Sequence, residues 1–415
     1  MPKSRGRRKS AKNRPVRRSP RPLHPADQLL REARDLNELD DVLSIETWAS
    51  SWLGQVWSTA ALTEREPEHQ LCMAVTTRAC STPSPHGLAA VAALARVAPA
   101  AETTMLTQTV AILARTQPLP PWRTAPAWTP VAAWQAIDVW DSERVLFIDF
   151  DGAHPHTVMA QLCEVGGLMV QKLAVLQPGA ATAWDDLREA DRDVNEVPMP
   201  IRQAPVAAVL ADLAGALRIT DMTWPRNDDE DFLDNRALAW SRCRDHLPDW
   251  PEPTDLSESQ RDHLIHGFTI SSGLDDDVSR SLAELFLDYG AGYIGAGPLC
   301  WSPGEVMVLL TDWLPRKAIL DANQRTALPD VLRQWITFAL TQRGIEPHWI
   351  TPVTDAIDTY LPTFRDAFDD ESRWGPAKEI ATALTDRGID LTDRHAVDNA
   401  IHELNAEQLA HRLLP

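Results

Sequence analysis

Ten cationic side chains crowd the first 22 residues, Lys3, Arg5, Arg7, Arg8, Lys9, Lys12, Arg14, Arg17, Arg18 and Arg21, and no Asp or Glu interrupts them. Ammonium and guanidinium groups at this density neutralise phosphates and release counterions, the chemistry of binding to nucleic acid, a ribosome or another polyanion. A segment of this kind binds without sequence preference, at roughly 10⁻⁴ to 10⁻⁶ M. The chain total is −19, so the rest of the protein carries 30 Lys/Arg against 59 Asp/Glu, a net −29. Arm and body therefore favour opposite partners. The tethered acidic body also competes for the arm at a high effective concentration.

Other residue groupings invite chemistry and read more simply as structure. Asp228, Asp229, Glu230, Asp231 and Asp234 could ligate a hard cation, but the alternation and central glycine of a calcium loop are missing. Acids followed at once by Phe232 and Leu233 suit the start of a helix. His263 and His266 stand three apart near Glu258 and Asp262, a spacing that still needs a further metal ligand from elsewhere. His154 and His156 flank a turn. Gly290-Ala291-Gly292-Tyr293-Ile294-Gly295 matches GxGxxG, yet the preceding segment is helical in pattern and Gly297-Pro298 follows where a helix should open. A helix stop is expected, not a dinucleotide site. GxSxG and GxxxxGK[ST] are absent. Cys72, Cys80, Cys163, Cys243 and Cys300 are odd in number and never in CxxC spacing, so free thiols are expected instead of a zinc knot or disulfide frame.

The run Val145-Leu146-Phe147-Ile148-Asp149-Phe150-Asp151-Gly152 is similar to the first motif of haloacid-dehalogenase-like phosphatases. That resemblance implies Asp149 as the nucleophile on phosphorus, Asp151 as general acid and base, and Mg²⁺ held by both. Such a site also needs a hydroxyl residue, a lysine and a second acidic pair delivered by βαβ units. After Gly152 the sequence makes a short turn and an alternating strand, so Asp-Gly reads as hairpin chemistry.

The elements that would position these groups follow from periodicity. Residues 25–116 read as a helical bundle, with Trp48, Trp52, Leu53 and Val56 at steps of three and four. Five prolines between Thr116 and Pro130 make a stiff linker. Strands follow at Trp134 to Trp140, Arg144 to Asp151, Thr157 to Val165 and Leu168 to Leu176, with Gly166-Gly167 as a two-residue turn. Connections this short allow only antiparallel pairing. From Pro205 onward the pattern is helical: Leu328, Val331, Leu332, Trp335, Ile336 and Ala339 form one stripe. Val353, Ile357, Tyr360, Leu361, Phe364 and Phe368 form another, in which Pro362 should introduce a kink. Ser302, Pro303 and Glu305 make a helix start, with Glu305 as the acid of a capping box. Residues 377–404 can be drawn as helix-turn-helix around Gly388, but Asp393, Asp398 and Glu403 would repel phosphates, which favours a packed helical hairpin.

The expected architecture is thus α+β and predominantly α-helical, with a four-stranded antiparallel meander between two helical regions. Its parts are a basic disordered arm over 1–24, a helical bundle over 25–116, a Pro-rich linker and meander over 117–178 and a helical region over 179–415. No window reaches the ~20 apolar residues of a membrane span, and a soluble, cytoplasmic protein is expected.

The block DYGAGYIGAGPLCWSPGEVMVLLTDWLPRKAILDANQRTALPDVLRQWITFA, the start MPKSRGRR, the hairpin TVMAQLCEVGGLMVQKLAV and the ending GPAKEIATALTDRGIDLTDRHAVDNAIHELNA together resemble a conserved hypothetical family of actinobacterial proteins. The resemblance spans nearly the whole chain and implies an architecture and a cytoplasmic location, but no reaction. That family tends to carry an Asp-His-Asn run before the Gly-Gly turn, where this chain has Leu162, Cys163 and Glu164, so no functional residue is carried over. The expectation is a binding protein that needs no cofactor or metal and does not touch a membrane, with the arm contacting nucleic acid or a ribosome. The alternative is the Mg-dependent phosphatase on Asp149 and Asp151.

Overall fold

The computed structural model describes residues 23–184, 197–250 and 256–389. The described residues fall into two compact units, one ending at Ala125 and the other beginning at Pro126. The arm with its ten cations, and the chain from 390 onward that includes most of the drawn helix-turn-helix, lie outside the described residues.

The first unit is built from α1 (Pro25–Glu32), α2 (Val42–Thr59), α3 (Pro67–Ser81), α4 (Pro85–Val97) and α5 (Ala100–Leu113). Helix α4 lies at its centre. Every residue from Gly87 to Leu94 is buried, and the run of alanines lets its neighbours approach from all sides. Ser84 caps it by accepting from the Gly87 N–H at 3.2 Å, with Pro85 in the first turn where no N–H is needed. The expected linker is partly folded onto this unit: Trp122 is buried and its Nε1–H donates to the Leu36 carbonyl at 2.9 Å.

The second unit holds one sheet, in the order β4-β3-β2-β1-β5, from β1 (Thr129–Ile137), β2 (Glu143–Asp151), β3 (His156–Cys163), β4 (Met169–Leu176) and β5 (Ile201–Gln203). Every pairing is antiparallel. The α+β, mostly helical class and the meander stand as read from the sequence, with one strand more. At three residues β5 is too short to show alternation, and it is a strand only because β1 offers its free edge. The hairpin at Gly166-Gly167 is longer than two residues, since Cys163 pairs with Met169, and both glycines adopt positive φ (71° and 122°).

One face of the sheet packs under α6 (Val206–Met222) and α7 (Glu230–Cys243), which Leu210, Leu213, Leu217, Phe232 and Leu238 turn inward. The other face packs Ala136, Val145, Phe147 and Ile201 of the sheet together with Ala181, Met199 and Trp184. The edge at β4 is closed by side chains. Thr220 accepts from the Val170 N–H at 2.8 Å, and Asn227 donates to the carbonyls of Val170 and Gln171 at 3.0 Å.

A helical bundle follows: α8 (Glu258–Ser272), α9 (Asp277–Tyr293), α10 (Pro303–Val308), a π turn (Leu309–Trp313), α11 (Leu314–Lys317), α12 (Ala322–Gln342), α13 (Pro347–Phe368) and α14 (Pro376–Asp386). The π turn comes just before Pro315, whose ring and missing N–H disrupt regular α-helix at that point. The stripe Leu328 to Ala339 is buried as its spacing requires, against Phe268, Leu282 and Phe286. Helix α13 runs unbroken through Pro352 and Pro362.

Candidate functional site

Asp149 and Asp151 stand on β2, between two antiparallel neighbours. Asp149 is not presented to an open strand end: Thr157 Oγ1 on β3 donates to its Oδ1 at 2.5 Å. Asp151, two residues on, is exposed and accepts from the Gly152 N–H at 2.8 Å, a turn interaction. The parallel, helix-linked strands that carry a second acidic pair and a lysine to a phosphatase nucleophile have no counterpart among the described residues, where every strand pairing is antiparallel.

The remaining sequence candidates resolve individually. Asp229 caps α7 by accepting from the Phe232 N–H at 2.9 Å, with Glu230 and Asp231 in the first turn. His263 and His266 are exposed on α8. His156 is buried and stacks on Phe150 at 5.4 Å, with the Trp128 ring edge-on at 4.8 Å. Among the described residues no three His, Cys, Asp or Glu side chains gather as a metal site would require. Cys72, Cys163, Cys243 and Cys300 are buried free thiols and Cys80 is exposed. Burial pushes the Cys72 thiol up to about 12, so it is an inert packing group.

Of the GxGxxG glycines, Gly290 meets backbone, Gly295 meets a side chain and Gly292 has open space. Gly290 ends the buried face of α9, where an added Cβ would sit 2.5 Å from the Pro298 carbonyl oxygen. A Cβ on Gly295 would sit 2.5 Å from Glu164 Oε2. The loop Gly295–Ser302 is thereby pressed against the β3–β4 hairpin.

That contact opens onto the most unusual polar cluster in the described body. Glu305 does cap-side work only through its backbone, whose N–H donates to Ser302 Oγ at 3.2 Å. Its carboxylate, expected to close a capping box, instead accepts from Tyr289 Oη at 2.6 Å and from the Gly166 N–H at 3.3 Å. Glu305 is 1 % exposed and Tyr289 fully buried. Burial raises the Glu305 carboxyl to about 7 with the Glu164 charge adding to the rise, while the bonds from Tyr289 and Gly166 oppose it. Burial and the neighbouring Glu305 push the Tyr289 hydroxyl strongly upward. Glu164 is also raised by burial, against Arg144, whose Nη2 lies 3.5 Å from Glu164 and whose Nη1 lies 3.2 Å from Asp212. Two further contacts bind the same seam: Arg343 donates to the Trp140 carbonyl at 3.1 Å and to Asp141 at 2.6 Å, and Trp140 Nε1–H donates to the Trp349 carbonyl at 3.0 Å.

A carboxyl poised near neutrality has the acidity of a general acid or base. With Glu305 and Tyr289 both sealed from solvent, no substrate reaches it in this state; the cluster locks the hairpin onto the bundle. Sequence reasoning assigned Glu305 to a cap and missed its partnership with Tyr289 and Glu164. No local signal pointed to it, since an acid beside a Gly-Gly turn ordinarily faces solvent.

No protein-family model, no curated protein and no solved structure matches this chain.

Proposed function

We propose that this protein acts by binding, with the cationic arm Met1–Pro22 engaging nucleic acid or another polyanion while the acidic body stays clear of it. The observation that carries this reading is the charge division, ten cations and no acid in the arm against a net −29 in the remainder. A body of that sign repels phosphate backbones, so contact is confined to the arm, and the same body competes for the arm wherever polyanion is sparse. Binding then favours dense polyanion such as a ribosome or packed nucleic acid. No described helix is long and apolar enough to cross a membrane, and we place the protein in the cytoplasm with the actinobacterial family it resembles. The phosphatase alternative on Asp149 and Asp151 gains nothing from an antiparallel strand whose nucleophile is hydrogen-bonded to Thr157.

The test compares the full chain with a variant lacking residues 1–22 on immobilised RNA and heparin across a salt gradient. The full chain should be retained at low salt and released as salt rises, and the shortened chain should flow through. Equal retention of the two would overturn the proposal.

A further inference from the structure

A cleft of about 370 Å³ lies between the first turns of α12 and the last turns of α13, within the range of small-ligand pockets. Arg325 and Thr326 line it from α12, Arg365 lines it from α13 and Asp369 from the cap that follows α13, and Phe364 and Phe368 form its floor. The spacing explains the arrangement: Phe364 and Phe368, like Arg365 and Asp369, are four apart and share a helix face. Arg325 Nη1 lies 3.0 Å from Asp369 Oδ1, and its guanidinium carbon is 5.8 Å from the Phe368 ring centroid. Arg365 is exposed and makes no hydrogen bond or ion pair among the described residues. Thr326 Oγ1 donates to the Ala322 carbonyl at 2.8 Å, which leaves its lone pairs, not its proton, toward the cleft.

A third cation stands behind the floor. Lys378 is 3 % exposed, its Nζ lies 3.7 Å from the Phe368 centroid, and it donates to the Pro315 carbonyl at 2.7 Å. Burial lowers its ammonium to about 8, and the positive charge of Arg325 lowers it further against the opposing pull of Asp369. Asp321 and Asp366 adjoin lining residues in sequence but do not line the cleft. Among the residues that line the cleft, two arginines face one carboxylate, on a body of net −29.

We propose that this cleft is a binding site for a phosphate monoester. The Arg325 and Arg365 forks, arriving from two helices, would share the phosphoryl oxygens while the ester's apolar group covers Phe364 and Phe368. One guanidinium fork already consumes both oxygens of a carboxylate, whereas a phosphoryl group has a third to offer the second fork. Asp369 holds Arg325 in the free protein as an internal carboxylate that the ligand displaces.

Calorimetric titration of phenyl phosphate into the full chain tests this. Saturable one-to-one binding near or below about 1 mM is expected, with inorganic phosphate weaker for want of the ring and benzoate weaker than phenyl phosphate. Arg365→Gln should weaken phenyl phosphate by about tenfold, whereas Asp369→Asn should tighten it by up to about fivefold by releasing Arg325. Arg333→Gln, on α12 outside the cleft, should change nothing. The arm's ten cations are common to every variant, so they do not enter the comparison. Absence of saturation, benzoate equal to phenyl phosphate, an unchanged Arg365→Gln, a weakened Asp369→Asn, or an Arg333→Gln as weak as Arg365→Gln would each overturn the site.

Discussion

Tyr289 on α9 donates a 2.6 Å hydrogen bond to the carboxylate of Glu305 on α10, and neither side chain is exposed beyond 1 %. The pair ties the stability of the bundle to the protonation of one buried acid. Its surroundings explain why: Trp301 and Trp313 stand 5.6 and 5.4 Å from the Tyr289 ring and exclude water from the bond.

Stability should fall with rising pH across the range in which Glu305 titrates. Its carboxyl sits at about 7 in the folded chain against an ordinary 4.5, so between these values the folded state holds a proton that the unfolded state has lost. The contribution is therefore full below about 4.5, declines as pH rises toward 7, and is flat above, with a total of about 3 kcal/mol. Urea midpoints measured at pH 5, 6, 7 and 8 should show this decline in the native chain and a flatter profile in Glu305→Gln. Tyr289→Phe, which removes a bond favouring the ionised form, should extend the decline to higher pH without moving its onset.

Gly290→Ala should destabilise by about 1 to 3 kcal/mol, the cost of overpacking, because the new methyl meets the backbone at Pro298. Gly295→Ala should cost less, since the atom in its way is the end of the Glu164 side chain. Denaturant midpoints of the two variants give the order. The reverse order would show that the α9 terminus yields more easily than the hairpin.

Arg236 on α7 grips Asp221 on α6 through Nε and Nη2, both at 2.7 Å, and Trp240 Nε1–H adds a bond to the same carboxylate at 2.9 Å. The fork holds together the two helices that cover the sheet. Arg236→Lys keeps the charge and loses the second bond, with an expected cost of about 1 to 3 kcal/mol. A thermal midpoint equal to that of the native chain would show that charge alone suffices.

Each arm cation that meets a phosphate contributes about −0.9 to the slope of log affinity against log salt on duplex DNA and about −0.7 on a single strand. The double variant Arg7→Gln, Arg8→Gln should therefore give a slope less negative by about 1.4 on single-stranded RNA. Fluorescence anisotropy with labelled RNA at several salt concentrations measures it, and an unchanged slope would place those two residues off the phosphates.

Alternation and short turns determined the four-stranded meander on their own, but not β5, which the free edge of β1 recruits. A strand such as Val158, Ala160 and Leu162, joined by tight connections to its neighbours, has no alternative to antiparallel pairing, and the structure follows. The stripe from Leu328 to Ala339 likewise needed only the helical period to be placed in a core. The charge division between arm and body is a property of composition and required no fold at all. Tertiary structure decided the rest. Glu305 carries a local signal for a helix cap, and only the packing of distant segments around it buries its carboxyl and pushes it up to about 7, with Tyr289 and Gly166 as its hydrogen-bond donors. Arg325 and Arg365 lie forty positions apart with no motif between them, and their shared cleft exists because α12 and α13 pack side by side. Local period and turn chemistry act over a few residues and are written in the chain, whereas burial and convergence of charge depend on which surfaces meet.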